Sequence, residues 1–375
     1  MIIAQIRNYT YQKTLASNLR DINIEELDIN NSPASFNVIM PNGSNAGISM
    51  WVSPKRTRSE PFARIYNTFH LPKRITIIPI MKDEGAAGDM DRINSLTLSW
   101  MNLSNVFIIL AYYNEASPHN TRSSKITKQK FDNEYIKSKI QEIMHYQLDA
   151  HHWNKMHFET DFESIFRTAM NHYQNIEDQL QIPLHNRQRD ETKLNSFLEN
   201  GSFSIERFID DGVAKSMGAA DREINTNHQF EIVSSRSIKL PIEITNNLGG
   251  KYYLTVDEIF IDRENNQILL RESKNSTRQI LPSSGEIKDA LFKMALIKNI
   301  STLRFQNQEF QKKFEIILHG NNNWHLDFPI NDTTIIDNLE GINNSRKMTL
   351  RQLNDESIAN GITIKIRSNR GGNDD

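Results

Sequence analysis

Asp257, Glu272 and Lys274 are the residues whose types and spacing could do chemistry together. They fall in two β-rich runs, Tyr-Leu-Thr-Val-Asp-Glu-Ile-Phe-Ile-Asp from position 253 and Gln-Ile-Leu-Leu-Arg-Glu-Ser-Lys-Asn-Ser from position 267. Between the runs Asn265-Asn266 marks a hairpin turn. With those two asparagines at the centre of an even-numbered turn, Asp257 lies opposite Lys274, and Ile259 opposite Glu272. Side chains alternate between the faces of a strand, so Asp257, Glu272 and Lys274 share one side of the sheet. Glu258 points the other way, with Ser273 across from it. A turn with an odd number of residues would reverse the choice between Asp257 and Glu258.

Two carboxylates on one patch repel each other, and a bridging divalent cation relieves the repulsion. Hard oxygen donors favour Mg²⁺, with Mn²⁺ as a substitute, over zinc. A lysine beside that ion can orient or deprotonate a water, or offset charge on a phosphate. The chemistry implied is metal-assisted hydrolysis of a phosphodiester. The plainer alternative is an exposed hairpin whose charges form cross-strand ion pairs, each worth roughly 0.2–1 kcal/mol.

The order Asp257, turn, Glu272-Ser273-Lys274 resembles the PD-(D/E)xK nucleases, and looks most like a type II restriction endonuclease. The segment from Ser283 to Asn299 fits the helix that follows the Glu-x-Lys strand in that family, and Val256 stands where the family name has proline. The resemblance covers roughly residues 200–320. It implies Asp257, Glu272 and Lys274 as catalytic residues, with Asp257, Glu272 and the backbone carbonyl of Ser273 holding the metal. A preceding helix often lends a further acid in such enzymes, which makes Glu206 or Glu223 a candidate ligand; a helix-dipole interaction for Glu206 is the simpler reading. The implied activity is Mg²⁺-dependent, sequence-specific hydrolysis of double-stranded DNA to 5'-phosphate and 3'-hydroxyl ends. The implied partners are double-stranded DNA, a second copy in a homodimer, and a cognate DNA methyltransferase encoded nearby. Two alternatives are a structure-specific repair nuclease and a non-catalytic DNA-binding module built on the same hairpin.

Around this hairpin the expected fold is α/β (α+β): a restriction-endonuclease-like mixed sheet flanked by helices, with an additional N-terminal α+β domain. Residues 1–190 form that N-terminal domain and would carry much of the DNA recognition. Residues 200–320 form the catalytic domain, and 321–375 a polar C-terminal extension. Strands are expected at Phe36–Met40, Gly47–Val52 and Ile75–Ile80, with Pro41-Asn42-Gly43 as a turn. Lys55, Arg56 and Arg58 lie in a polar loop suited to phosphates, and Asn275, Ser276 and Arg278 follow the catalytic strand. The acidic loop Lys82–Asp91 lacks the spacing of a calcium-binding loop; its acids are expected to cap a helix beginning near Arg92.

Helical spacing covers Phe131–Leu148 and Phe162–Leu180. The histidines 145, 151, 152 and 157 read as packing or surface groups, since no acid completes a zinc spacing, and Trp153 and Phe158 read as core. Residues 184–202 are the best linker candidate, followed by a helix over Ile205–Ala220. Later expectations are a strand at Ile238–Ile244, a capping box of Ser283 and Glu286, and a strand over Lys313–His319. A helix near Leu350–Ala359 and a strand at Ile362–Ile366 complete the list of elements.

The chain has 375 residues, enough for about two or three domains. It has no cysteine, which excludes disulfides and thiolate zinc sites and suits a reducing cytoplasm. Its start lacks the pattern of a secretory signal and its longest apolar run is far too short to span a bilayer, so a cytoplasmic location is expected. The net charge of −2 argues against indiscriminate coating of nucleic acid, while leaving room for basic groups in one cleft.

Overall fold

A computed structural model of the protein describes residues 1–7, 9, 19–54, 71–214, 237–238, 240–246 and 251–369. Strand β1 (Ile2–Ile6) buries alternate side chains, as a strand with one face on a core does. Strands β2 (Arg20–Asn23), β3 (Ser35–Ile39), β4 (Asn45–Met50) and β5 (Arg74–Pro79) follow. The turn between β3 and β4 runs through Pro41-Asn42-Gly43 as expected, and Gly43 takes the left-handed conformation (φ 80°) that a side chain resists.

The acidic segment folds as a hairpin, β6 (Met81–Asp83) with β7 (Met90–Arg92), ahead of helix α1 (Ser95–Leu103). Its acids do not cap α1. Asn94 does, accepting from the amides of Leu96 and Thr97, whereas Asp91 accepts from Ser53 Oγ at 2.7 Å and Asp83 from the Gly85 amide at 2.8 Å. A short polar side chain directly before the first turn outcompetes acids several residues upstream.

Next come β8 (Phe107–Ala111), the hairpin β9 (Tyr113–Pro118) with β10 (Ile126–Phe131), helix α2 (Asn133–His145) and helix α3 (Ala150–Leu180). Helix α3 starts earlier than the apolar periodicity suggests. Asp149 accepts from the His152 amide at 2.9 Å, and this cap places Trp153, Asn154, His157 and Phe158 on a buried face.

That face has a specific task. Strand β8 lies at the end of the sheet β2-β3-β4-β5-β8, where alternate amides and carbonyls lack a neighbouring strand. Side chains from α3 take that place. Asn154 Oδ1 accepts from the Ile108 amide at 2.7 Å and His157 Nε2 from the Leu110 amide at 3.0 Å. Asn154 Nδ2 donates to the Val106 carbonyl at 2.9 Å and Trp153 Nε1 to the Ile108 carbonyl at 2.8 Å. From α2, the Tyr135 hydroxyl donates to the Leu110 carbonyl at 3.1 Å. His157 Nδ1 lies 2.8 Å from Asp161 Oδ2, so the acceptor role of Nε2 makes Nδ1 the donor, and burial pushes the ring below its usual pKa, keeping it neutral. His157 is therefore a packing group, as expected.

The expected linker is structured. Helix α4 (Arg187–Asn195) and the hairpin β11 (Leu198–Glu199) with β12 (Ser202–Phe203) bury Leu194 and Phe197, and buried Asp190 pairs with Arg92. Helical residues 205–214 then insert Phe208 among Phe158, Phe162, Phe197 and Phe203. The remainder of the helix expected to Ala220 lies outside the described residues.

The expected strand at Ile238–Ile244 divides into β13 (Ser237–Ile238) and β14 (Ile242–Asn246), which enter different sheets. The first β run of the hairpin divides likewise. Its start is β15 (Lys251–Leu254), paired with β14; its end is β16 (Glu258–Asp262), paired with β17 (Gln267–Asn275). Helix α5 (Ser284–Lys298), strands β18 (Ile300–Phe305), β19 (Gln308–Glu309), β20 (Gln311–Gly320) and β21 (Leu326–Phe328), a single helical turn (Thr334–Asp337), helix α6 (Asn344–Asn360) and strand β22 (Thr363–Ser368) follow.

One sheet has the order β15-β14-β1-β18-β19 and another β13-β16-β17-β20-β22-β21. The chain is thus mixed α/β, with several mixed sheets and flanking helices. The first strand stands in the middle of a sheet whose neighbours come from residues 242–305, and the residues after 320, expected as an extension, supply β21 and β22 to the sheet carrying the hairpin. Trp100 of α1 stacks on Phe292 of α5 with ring centroids 4.2 Å apart, joining the N-terminal sheet to the rest through one hydrophobic core. Among the described residues no helix is long and apolar enough to cross a membrane.

Candidate active site

The hairpin turn is even-numbered, but its centre lies one residue earlier than the two asparagines suggest. Asp262 pairs with Gln267 and Ile259 with Leu270, which shifts the register by two. The Asp262 carboxylate accepts from the Asn265 amide at 3.0 Å, while Asn266 adopts a left-handed conformation (φ 51°). Leu270, not Glu272, therefore faces Ile259, and the pairing of Asp257 with Lys274 is not formed. An even shift preserves facing, so the grouping of Asp257 with Glu272 and Lys274 is unaffected. Glu258 is opposite Arg271 and bonds to it at 2.8 Å, within a network on the other face that includes Glu315.

Asp257 occupies the point where the chain leaves one sheet for the other. Strand β17 extends beyond the end of β16, and the Ser273 amide on that side donates to Asp257 Oδ2 at 2.7 Å. The side chain completes the ladder where the backbone stops, fixing the half-buried carboxylate beside β17. Glu272 is fully buried on the same strand. Lys274 Nζ is 3.0 Å from Glu272 Oε1 and donates to Asp289 Oδ2 at 2.9 Å. Lys293 Nζ is 2.9 Å and 3.0 Å from the two oxygens of Glu272.

Helix α5 supplies Asp289 and Lys293. Its Ser283/Glu286 capping box forms as the sequence indicates, with the Ser283 amide donating to Glu286 Oε2 at 2.7 Å. Ile287, Leu291, Met294 and Ala295 are buried as expected, so the helix is seated firmly on β17 and β20. Asp289 and Lys293 are one turn apart on the flank facing the strand's charged residues. Neither was singled out in the sequence; the readable signal is their i, i+4 spacing within the helix after Glu-x-Lys.

Burial raises the pKa of Glu272 above the ordinary glutamate value; Lys293 and Lys274 pull it back, and Asp257 adds to the rise. Lys274 is the reverse: burial would lower its pKa, but Glu272 and Asp289 outweigh burial and raise it well above the usual lysine value. Lys274 is thus an ammonium near neutrality, suited to donating hydrogen bonds and offsetting negative charge rather than to accepting a proton.

The other expected site residues are dispersed. Glu206 is exposed on the helix that packs into the phenylalanine cluster, and accepts from Ser204 Oγ at 3.3 Å; none of its described bonds reaches the hairpin. Asn275 and Ser276 are tied to Asn369, whose Nδ2 donates to Asn275 Oδ1 at 2.9 Å and the Ser276 carbonyl at 2.8 Å. Arg278 is exposed on the following loop. Lys55, Arg56, Arg58 and Glu223 lie outside the described residues.

The donor set of Asp257, Glu272 and the Ser273 carbonyl is all oxygen, the kind a hard divalent cation takes, while the charge of buried Glu272 is met in this structure by Lys274 and Lys293. Among the described residues no group of three or more histidines, cysteines or acids is placed to hold a metal ion, so an ion held by these two carboxylates would keep several waters, as Mg²⁺ does. No family model matches the chain, and no curated protein or solved structure shows significant similarity to it.

Proposed function

We propose that the protein is a Mg²⁺-dependent, sequence-specific endonuclease of double-stranded DNA, of the restriction type. The observation that carries this reading is the convergence of Asp257, Glu272 and Lys274, with Asp289 and Lys293 of α5, on one side of the β16–β17 hairpin. Asp257, Glu272 and the Ser273 carbonyl would hold the ion. Bound there, a divalent cation supplies Lewis acidity toward the phosphate and makes a coordinated water more acidic. The Ser273 amide orients Asp257. Lys293 opposes the rise that burial gives the pKa of Glu272. Lys274 donates to the reacting phosphate or the attacking water and offsets charge that develops there. Cutting both strands would call for two copies related by a two-fold axis on a symmetric site.

Incubating the purified chain with unmethylated phage DNA, with and without Mg²⁺, tests this directly. Discrete bands only with Mg²⁺ are expected. A smear would remove the sequence specificity, and intact DNA under both conditions would refute the nuclease reading.

Lys293 provides a second prediction. It is the largest influence holding the pKa of Glu272 down, so Lys293→Met should raise that pKa further. Metal binding needs the ionised carboxylate. The acid limb of the pH–rate profile should therefore move to higher pH, with Lys293→Arg close to wild type. A slower Lys293→Met enzyme with an unmoved acid limb would reduce Lys293 to a packing role.

A further inference from the structure

A cavity of about 330 Å³ lies far along the chain from the hairpin, between β6 and the β9–β10 hairpin. Its charged lining comprises Lys82, Arg122, Lys125 and Lys128, with His119 and one carboxylate, Glu84. Glu84 lies 3.1 Å from Lys82 and 3.6 Å from Lys125, so two ammonium groups share a single acid. Among the described residues no ion pair engages Arg122 or Lys128, and both are exposed at the rim. Four cations therefore surround one opening with one negative charge to balance them.

The backbone beneath is shaped to present these groups. The pairing of β9 with β10 shifts between Thr127 and Lys130, and Lys128 within that irregularity has φ 50°. A left-handed backbone at a lysine is unfavourable, and a bulge of this kind re-aims a side chain. The two hairpins forming the walls meet closely: a Cβ at Gly85, which has φ 93°, would lie 2.5 Å from the Ser124 carbonyl oxygen. Strain retained where it places a cation over a basic cavity is the pattern found at ligand sites.

We propose that this cavity binds a phosphate ester, with Arg122 and Lys128 as the contacting groups. The cavity is a binding site rather than a reaction centre, separate from Asp257 and Glu272. That the phosphate belongs to a DNA backbone rests on the nuclease reading above; a free phosphorylated molecule would use the same chemistry.

The test uses the full chain and an Arg122→Ala/Lys128→Gly double variant. Both residues are exposed, and glycine accepts the left-handed conformation at 128, so folding is retained. Binding of a labelled duplex is measured by fluorescence anisotropy in EDTA over a range of salt concentrations, and binding of inorganic pyrophosphate by calorimetry. We expect the variant to lose about tenfold in DNA affinity, its salt dependence to fall by about one phosphate contact per removed cation, and pyrophosphate to compete with DNA in the wild type. Unchanged DNA binding with pyrophosphate retained by the wild type and lost in the variant would support the site with a small phosphorylated ligand. If the variant matches the wild type in both measurements, or the wild type binds neither, the proposal is overturned. A wild type that binds pyrophosphate here but never cleaves DNA would sink the nuclease reading alone.

Discussion

Replacing Lys274 with alanine is expected to lower DNA cleavage by about 10²–10³-fold while leaving the protein folded. The ammonium stands between Glu272 and Asp289 and keeps its proton, so on the proposed reading its loss removes a preorganised positive donor from the site assigned to the phosphate. Stability should change little. Glu272 retains Lys293 across both oxygens, and Asp289 is partly open to solvent. Single-turnover cleavage of a mapped site, together with a melting curve, separates the two effects. Activity within threefold of wild type would remove Lys274 from the chemistry.

The second large effect concerns the fold. Asn154→Leu should destabilise the protein by about 4 kcal/mol, since each buried polar group left without a partner costs roughly 1–3 kcal/mol. The amide oxygen and nitrogen of Asn154 bond to the Ile108 amide, the Val106 carbonyl and Asn102 Oδ1, all buried. Leucine is of similar size and fills the volume, so the loss isolates the hydrogen bonds from the packing. A urea titration gives the difference, and a change below about 1 kcal/mol would mean that water replaces the side chain at the strand edge.

Much of the candidate site was legible because facing depends on parity alone. The register expected from the two asparagines differs by two residues from the one formed, through a four-residue turn that Asp262 stabilises, and the same three side chains still share a face. Asp289 and Lys293 were not legible, because the apolar periodicity of α5 identifies its buried face without saying what its flanks oppose. The capping box and the strands of the N-terminal sheet follow from local patterns and form as expected. The division of Tyr253–Asp262 between two sheets does not: a continuous β-rich run carries no mark of where it changes partners. Nor does local pattern reveal that α3 serves an outer strand, since Asn154 and His157 bond to residues more than forty positions away.

The placement of β1 has a consequence for synthesis on the ribosome. Strand β1 emerges well before its partners: it pairs in parallel with β14 and antiparallel with β18, so Ile2 waits for Ile242 on one side and Phe305 on the other. Pairings of such long range are slow to form, and partially made chains expose unpaired edges in the meantime. The chain must be translated as far as Ile242 before β1 acquires a strand partner. A nascent chain stalled ahead of Ile242 would hold a complete β2-β3-β4-β5-β8 sheet and a β1 segment with no strand partner.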